Sequence, residues 1–273
     1  MIINESSYKT FSHTKVNGKE AAVILPNKET VEIEVESEDK KTVIFDLEAL
    51  DCNNHYKIVL RKSAELIFAI VQNGREVETL LKKIEIEIEE NAKAEVLVYE
   101  LGGKFSATEL KCALRGKGSE ISVNGIYFGY GENELDYSYH VRHIGEDTKS
   151  NIHIDGALRD CAKKLVKSNL DFEEGSKRAI GEEEETTVLL SDTVVNKSVP
   201  ILLSHEDDVQ GNHAASSGKI DESLLFYLMT RGLTEESAKS LILMGKFEDT
   251  LSRLPDEELR EKIREKIQEI VRL

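Results

Sequence analysis

"KIEIEIEENAKAEVLV", residues 83–98, alternates apolar and charged side chains on both sides of a short polar break. Ile84, Ile86 and Ile88 share one parity, and after Glu89, Glu90 and Asn91 an alternation resumes in Ala92, Ala94, Val96 and Val98. Successive side chains of a strand point to opposite faces, so the pattern predicts two strands, each with one buried face, joined by a turn. The same period extends outward through Val31, Ile33 and Val35, then Ile121 and Val123, Leu135, Tyr137, Tyr139 and Val141, and Ile152 and Ile154. A strand-rich body is expected over residues 29–218, preceded by a lead-in over 1–28.

The chain has only three prolines, and Gly, Asn and Asp mark turns at "LGGK", "RGKGSE", "GYGENE", "HIGEDTKS" and "FEEGSK". The strand-turn units 83–103, 110–132, 135–160 and 161–192 run roughly 20–30 residues, a spacing that suits the coils of a β-solenoid or the strands of a sandwich. The solenoid is the favoured expectation. The repeat is one of hydrophobic pattern and not of sequence identity.

The pattern changes near residue 219, where a C-terminal helical domain is expected over 219–273. "DESLLFYLMTRG" places Leu224, Leu225 and Leu228 at helical spacing and stops at Gly232. "TEESAKSLILMGKFEDTL" opens on Thr234 as N-cap, followed by two glutamates that suit the positive end of a helix. A third helix starts near Pro255 and carries Leu259, Ile263, Ile267, Ile270 and Val271 as one stripe. These stripes are expected to pack on one another and on the last coil, or to dock a partner.

Composition narrows the function. Cys52, Cys112 and Cys161 are three in number and form no CxxC pair, so neither a disulfide framework nor a zinc knuckle is encoded. The first residues lack a secretory signal pattern and no stretch approaches a membrane span, so a cytoplasmic protein is expected. A net charge of -16 disfavours phosphate backbones and anionic lipid, which are bound by clustered Lys and Arg. Neither nucleic acid nor membrane is an expected partner. With no GxxxxGK[ST] loop, the chain binds no ATP through a P-loop of its own, and the HExxH, GxSxG and GxGxxG signatures are missing too.

Seven histidines remain as candidate ligands. His140, His143 and His153 fall in or beside strands, where a solvated or hydrogen-bonded imidazole is expected. His205 precedes Glu206, Asp207 and Asp208, which reads as a solvated acidic turn or a cation chelate. His213 stands apart because Gly211, Ala214, Ala215 and Ser216 leave room around it. It is either a ligand or a polar residue at the end of a sheet.

The segment "PILLSHEDDVQGNHAASSGKIDESLLFYLMTRGL" resembles the SufB/SufD family of iron–sulfur cluster assembly proteins. The likeness rests on Asp207, Asp208 and Val209, then His213 with Ala214, Ala215 and Ser216, then Gly218 and Lys219, and finally Leu225, Phe226, Tyr227, Leu228, Arg231 and Gly232. "HIGEDTKS", with His143, Gly145, Thr148 and Ser150, is similar to that family's HxGxxTxS element. The clear likeness covers about residues 130–250.

This resemblance implies a mainly β fold, a right-handed parallel β-helix followed by a small helical domain. It implies a non-enzymatic scaffold that pairs through its β-helix with a SufB-like paralogue or with itself, and that docks a SufC-type ABC ATPase through Leu225, Phe226, Tyr227, Arg231 and Gly232. It places His213, as a metal ligand, and Glu185 at a transient iron–sulfur cluster near the pairing surface. Two departures weigh on that site. Gly211 stands where SufD-type members often carry a cysteine, and Glu185 where SufB-type members place one, so the soft thiolates that usually hold such clusters are missing. Two other readings compete. One is a β-helix carbohydrate-active enzyme using the glutamates at 182–185, against which the lack of any Trp counts. The other is a structural or regulatory partner of the ATPase. Deleting residues 220–273 is expected to abolish ATPase capture and to leave a folded β-rich body.

Overall fold

Alternation along the chain becomes fourteen strands wound into two parallel sheets in the computed structural model, which describes residues 28–47, 52–72 and 79–272. The expected lead-in up to residue 27, with His13, lies outside the described residues. One sheet takes β1 (Lys28–Val35), β3 (Cys52–Leu60), β5 (Thr79–Ile88), β7 (Phe105–Leu114), β9 (Glu134–His143), β11 (Lys163–Phe172) and β13 (Val195–Ser204). The other takes β2 (Lys40–Leu47), β4 (Glu65–Gln72), β6 (Lys93–Glu100), β8 (Glu120–Gly129), β10 (Lys149–Leu158), β12 (Ala179–Leu189) and β14 (Val209–Lys219).

Each coil contributes one strand to each sheet, and every pairing between coils is parallel. The architecture is therefore the β-solenoid and not the sandwich. The step between coils is not constant: Thr30 pairs with His55, 25 residues on, whereas Leu165 pairs with Lys197, 32 residues on. Insertions accumulate in the corners, so the sequence repeat is blurred while the pairing continues.

One corner of the solenoid repeats a single device. Glu38, Ser63, Asn91, Gly118, Asp147 and Arg178 all adopt left-handed backbone, with φ between 56° and 68°. A non-glycine residue pays roughly 1–2 kcal/mol for that conformation. Each of the six N–H groups donates to a carbonyl of the next coil, as in Ser63 to Glu90 at 2.8 Å and Asn91 to Lys117 at 2.9 Å, which offsets the strain.

The lumen between the sheets is filled by the residues whose parity announced them: Ile84, Ile86, Ile88, Val96, Val98, Tyr137, Tyr139 and Ile154 are all buried. A second core lies outside it. The later halves of β4, β6 and β8 are buried on both faces, because α2 (Glu235–Ser252) and α3 (Glu257–Arg272) lie against them. Leu97, Tyr99, Ile126 and Phe128 form one cluster with Leu243, Phe247, Ile263 and Ile267.

Thr234, the expected N-cap, accepts from Ser237 at the start of α2, and the structure adds Asp221, which accepts from Ser223 and Leu224 at the start of α1 (Glu222–Thr230). The Tyr99 hydroxyl donates to the Thr250 carbonyl at 2.9 Å, Thr250 donates to Asp155 at 2.9 Å, and Arg159 donates to the carbonyls of Ile270 and Val271 at the end of α3.

The helices α2 and α3 pack on the middle coils, with α2 against β8 and β10. Their loss would bare Leu97, Tyr99, Ile126 and Phe128 at about 1.5–3 kcal/mol each, a large part of a domain's net stability. Deletion of residues 220–273 is therefore expected to destabilise the β-body as well, which circular dichroism of the truncated chain checks. Among the described residues no helix is long and apolar enough to cross a membrane.

Candidate functional site

The solenoid ends at two free strand edges, β13 and β14. His213 sits in the middle of β14, and every residue of that strand after Val209 is exposed. Its register partner on β12 is Glu183, while Ala215 partners Glu185. Neighbouring parallel strands place in-register side chains on the same face, so His213 follows Glu183 toward the lumen at its open end. At Gly211 an added Cβ would fall 2.5 Å from Leu202 Cδ1 and 3.1 Å from Phe172 Cε2. The space a thiol would occupy belongs to those two side chains.

Glu183 and Glu185 stand one layer below the open end. Glu185 is bound tightly by the Lys164 ammonium, with side chains 2% and 0% exposed. Tyr127 donates to it at 3.3 Å and pairs with Thr187 at 2.6 Å, while Lys164 also donates to Ser198 at 3.0 Å. Burial lowers the Lys164 pKa and the Glu185 charge raises it, with burial prevailing. Burial pushes the Glu183 carboxyl up to about 7, aided by the charge of Glu185 and opposed by Ser168 and Lys164. Glu183 is 6% exposed and its Oε2 has no hydrogen-bond partner.

A second buried ion pair lies deeper. Lys82 and Glu100 meet at 2.7 Å with side chains 0% and 1% exposed, and the Ser106 and Thr108 hydroxyls donate to Glu100 at 2.8 and 2.5 Å. Against the upward push of burial, Lys82 holds the Glu100 carboxyl below its ordinary range. Sequence reasoning missed Lys82, Glu100 and Lys164. Their signal was parity: Lys82 shares that of Ile84 and Ile86, and Glu100 that of Val96 and Val98, so each charge sits on a face otherwise buried.

The glutamate run at 182–185 alternates. Glu182 and Glu184 face outward and exposed, while Glu183 and Glu185 face the lumen. The four therefore do not converge on one bond. A groove of about 770 Å³ crosses the outer face of the sheet of even-numbered strands, lined by Lys40, Glu65, Lys93, Glu120 and Lys149 among others, and no aromatic residue lines it. Its charges are paired with one another, Lys40 with Glu65 at 2.7 Å and Lys93 with Glu120 at 3.2 Å.

His143 resolves into a clasp. Its two ring nitrogens lie 2.8 Å from the Thr148 and Ser150 hydroxyls, and its ring stacks on Phe172 at 4.6 Å. A Cβ on Gly145 would fall 2.6 Å from the Gly116 carbonyl oxygen, so that corner closes only on glycine. Burial pushes the His143 imidazole down to about 4. A folded pKa below the unfolded one gives stability that is complete above about pH 6.5 and is lost as pH falls toward 4, in total about 3 kcal/mol. Denaturant melts of the wild type and of His143→Gln between pH 7 and 4 check this: the wild type loses that much more than the variant, and parallel curves would rule it out.

Of the thiols, Cys112 is buried in the lumen with its pKa raised by burial, and Cys161 is exposed in the corner between β10 and β11. Neither stands in register with His213.

The residues expected to dock a partner come together on α1, which buries none of its side chains. Phe226 is 69% exposed and Tyr227 51%, and Leu224 and Met229 of the same helix are exposed too. Leu225 is half-buried. Arg231 stacks over the Tyr227 ring at 5.1 Å, and Gly232, at φ 94°, ends the helix by donating to the Met229 carbonyl. The outcome is an apolar patch on a firmly capped helix.

Comparison with known proteins gives this geometry a context. A family described as "SUF system FeS cluster assembly, SufBD core domain" matches residues 17–246. The chain is 31% identical over 150 residues, 55% of its length, to the iron–sulfur cluster assembly protein SufD of Bacillus subtilis (strain 168). It is 28% identical over 202 residues, 74% of its length, to iron–sulfur cluster assembly SufBD family proteins of Staphylococcus saprophyticus and Staphylococcus aureus. The matched segments span 34% and 43% of those relatives' lengths, less than half of each.

Proposed function

Because the chain belongs to the SufBD core family of the SUF system of iron–sulfur cluster assembly, we propose that it is a non-enzymatic scaffold component of that machinery. The observation that carries this reading is the family match over residues 17–246, which takes in the free edge at β13 and β14 and the unburied helix α1. On this reading α1 docks a SufC-type ABC ATPase, which supplies the P-loop this chain lacks. The exposed β14 edge, with its unpaired backbone donors and acceptors, pairs with a SufB-like paralogue or a second copy of the chain, as free strand edges do when they are not blunted. His213 then offers a neutral nitrogen at that seam to a nascent cluster, whose thiolates come from the other subunit. The cluster is the cargo of the complex.

His213→Ala in the presence of the natural partner subunit tests the reading. The side chain is exposed, so melting should stay within about 0.5 kcal/mol of wild type, while complementation in vivo and iron retained after anaerobic reconstitution both drop. Full complementation by the variant would defeat the assignment and leave a purely structural partner of the ATPase.

A further inference from the structure

We propose that Glu183 is the second protein donor of a divalent-cation half-site whose first donor is His213. The inference rests on the placement of His213 in the cargo site above and deepens it. Three observations carry it. Glu183 and His213 are in register on adjacent strands at the open end of the lumen. Strands in a sheet lie about 4.8 Å apart, and ligand bonds to nitrogen and oxygen run about 2.0–2.2 Å, so one ion between the two side chains reaches both. Glu183 is 6% exposed and keeps an oxygen without a donor, an arrangement that costs free energy unless a cation or donor arrives there.

The neighbouring charge does not fill that role. Lys164 is committed to Glu185 and Ser198, and its partner Glu185 lies beside Ala215, which offers no ligand. Asn196 adds a further acceptor on the last coil: it is in register with Lys164, and its Oδ1 is buried without a partner. Imidazole and carboxylate together suit first-row divalent ions such as iron(II), cobalt(II) and zinc(II). Among the described residues no third His, Cys, Asp or Glu completes a cluster, so the remaining positions are left to water or to the paired chain.

The test uses cobalt(II) alone with the full-length protein under anaerobic conditions, read by visible absorption and calorimetry. One ion per chain is expected. Glu183→Gln and His213→Ala should each weaken binding by at least about tenfold, a change of about 1.4 kcal/mol, while metal-free Glu183→Gln melts no lower than wild type. Glu183→Cys places a thiolate at the same point and should add a sulfur-to-cobalt charge-transfer band. No cobalt bound by the wild type, undiminished binding by Glu183→Gln, or a folded, cobalt-loaded Glu183→Cys without that band would each overturn the proposal. If only His213→Ala loses cobalt, Glu183 is not a donor and the reading of His213 stands. If both variants lose cobalt but complement fully, the half-site stands and the cargo role fails.

Discussion

Lys164→Met should destabilise the protein by about 3–5 kcal/mol, and lower its melting temperature by roughly 10 °C for a chain of this size. The reason is asymmetric. The Lys164–Glu185 pair is buried with almost no exposed surface, so its attraction mainly repays the cost of taking two charges out of water, whereas removing one partner strands the other. Tyr127 and Thr187 can still bond Glu185, but neither carries a positive charge. The double variant Lys164→Met/Glu185→Met should recover most of the loss, because a well-packed apolar pair often matches a buried ion pair. Chemical denaturation of the wild type, both single variants and the double variant checks the cycle. A Lys164→Met protein within about 1 kcal/mol of wild type, or a double variant no better than the single, would contradict it.

Phe226→Ala combined with Tyr227→Ala should reduce capture of a SufC-type ATPase by about a thousandfold, taking about 2 kcal/mol for each exposed aromatic at the centre of an interface. Both side chains are more than half exposed and α1 buries none of its residues, so the substitutions should leave melting within about 0.5 kcal/mol of wild type. Point substitutions are needed here because truncation would uncover the sheet under α2 and α3. Size-exclusion chromatography followed by titration calorimetry with the purified ATPase reads the effect. Capture by the double variant at wild-type affinity would remove α1 as the docking element.

Much of the fold was legible because it is written in local patterns. The parity of Ile84, Ile86 and Ile88 gave strands, Thr234 caps its helix as read, and Leu259, Ile263 and Ile267 gave the buried stripe of α3. What escaped was written across coils. Lys82 and Glu100 look like ordinary charges in an alternating strand until the sheets close and place them face to face. The run Val96, Leu97, Val98, Tyr99 carries apolar residues of both parities, a signal of cover on both faces, but the cover comes from residues about 150 positions downstream. At the candidate site His213 was legible from its small neighbours, while its partner was not: register, set by corner lengths, puts Glu183 and not Glu185 beside it.

The strap formed by α2 and α3 also bears on how the molecule comes apart. A stack of coils bonded only to nearest neighbours unravels from its ends, one unit at a time, with a broad transition. Here Arg253 meets Glu95 of β6 at 3.3 Å, Thr250 bonds Asp155 of β10, Arg159 holds the end of α3, and the strap's apolar side chains cluster with Val71 of β4. A coil that opens must also release the strap, which grips several others. Amides from β4 to β10 should therefore exchange with solvent in one concerted opening, later than those of β13 and β14, which lie beyond the strands the strap grips.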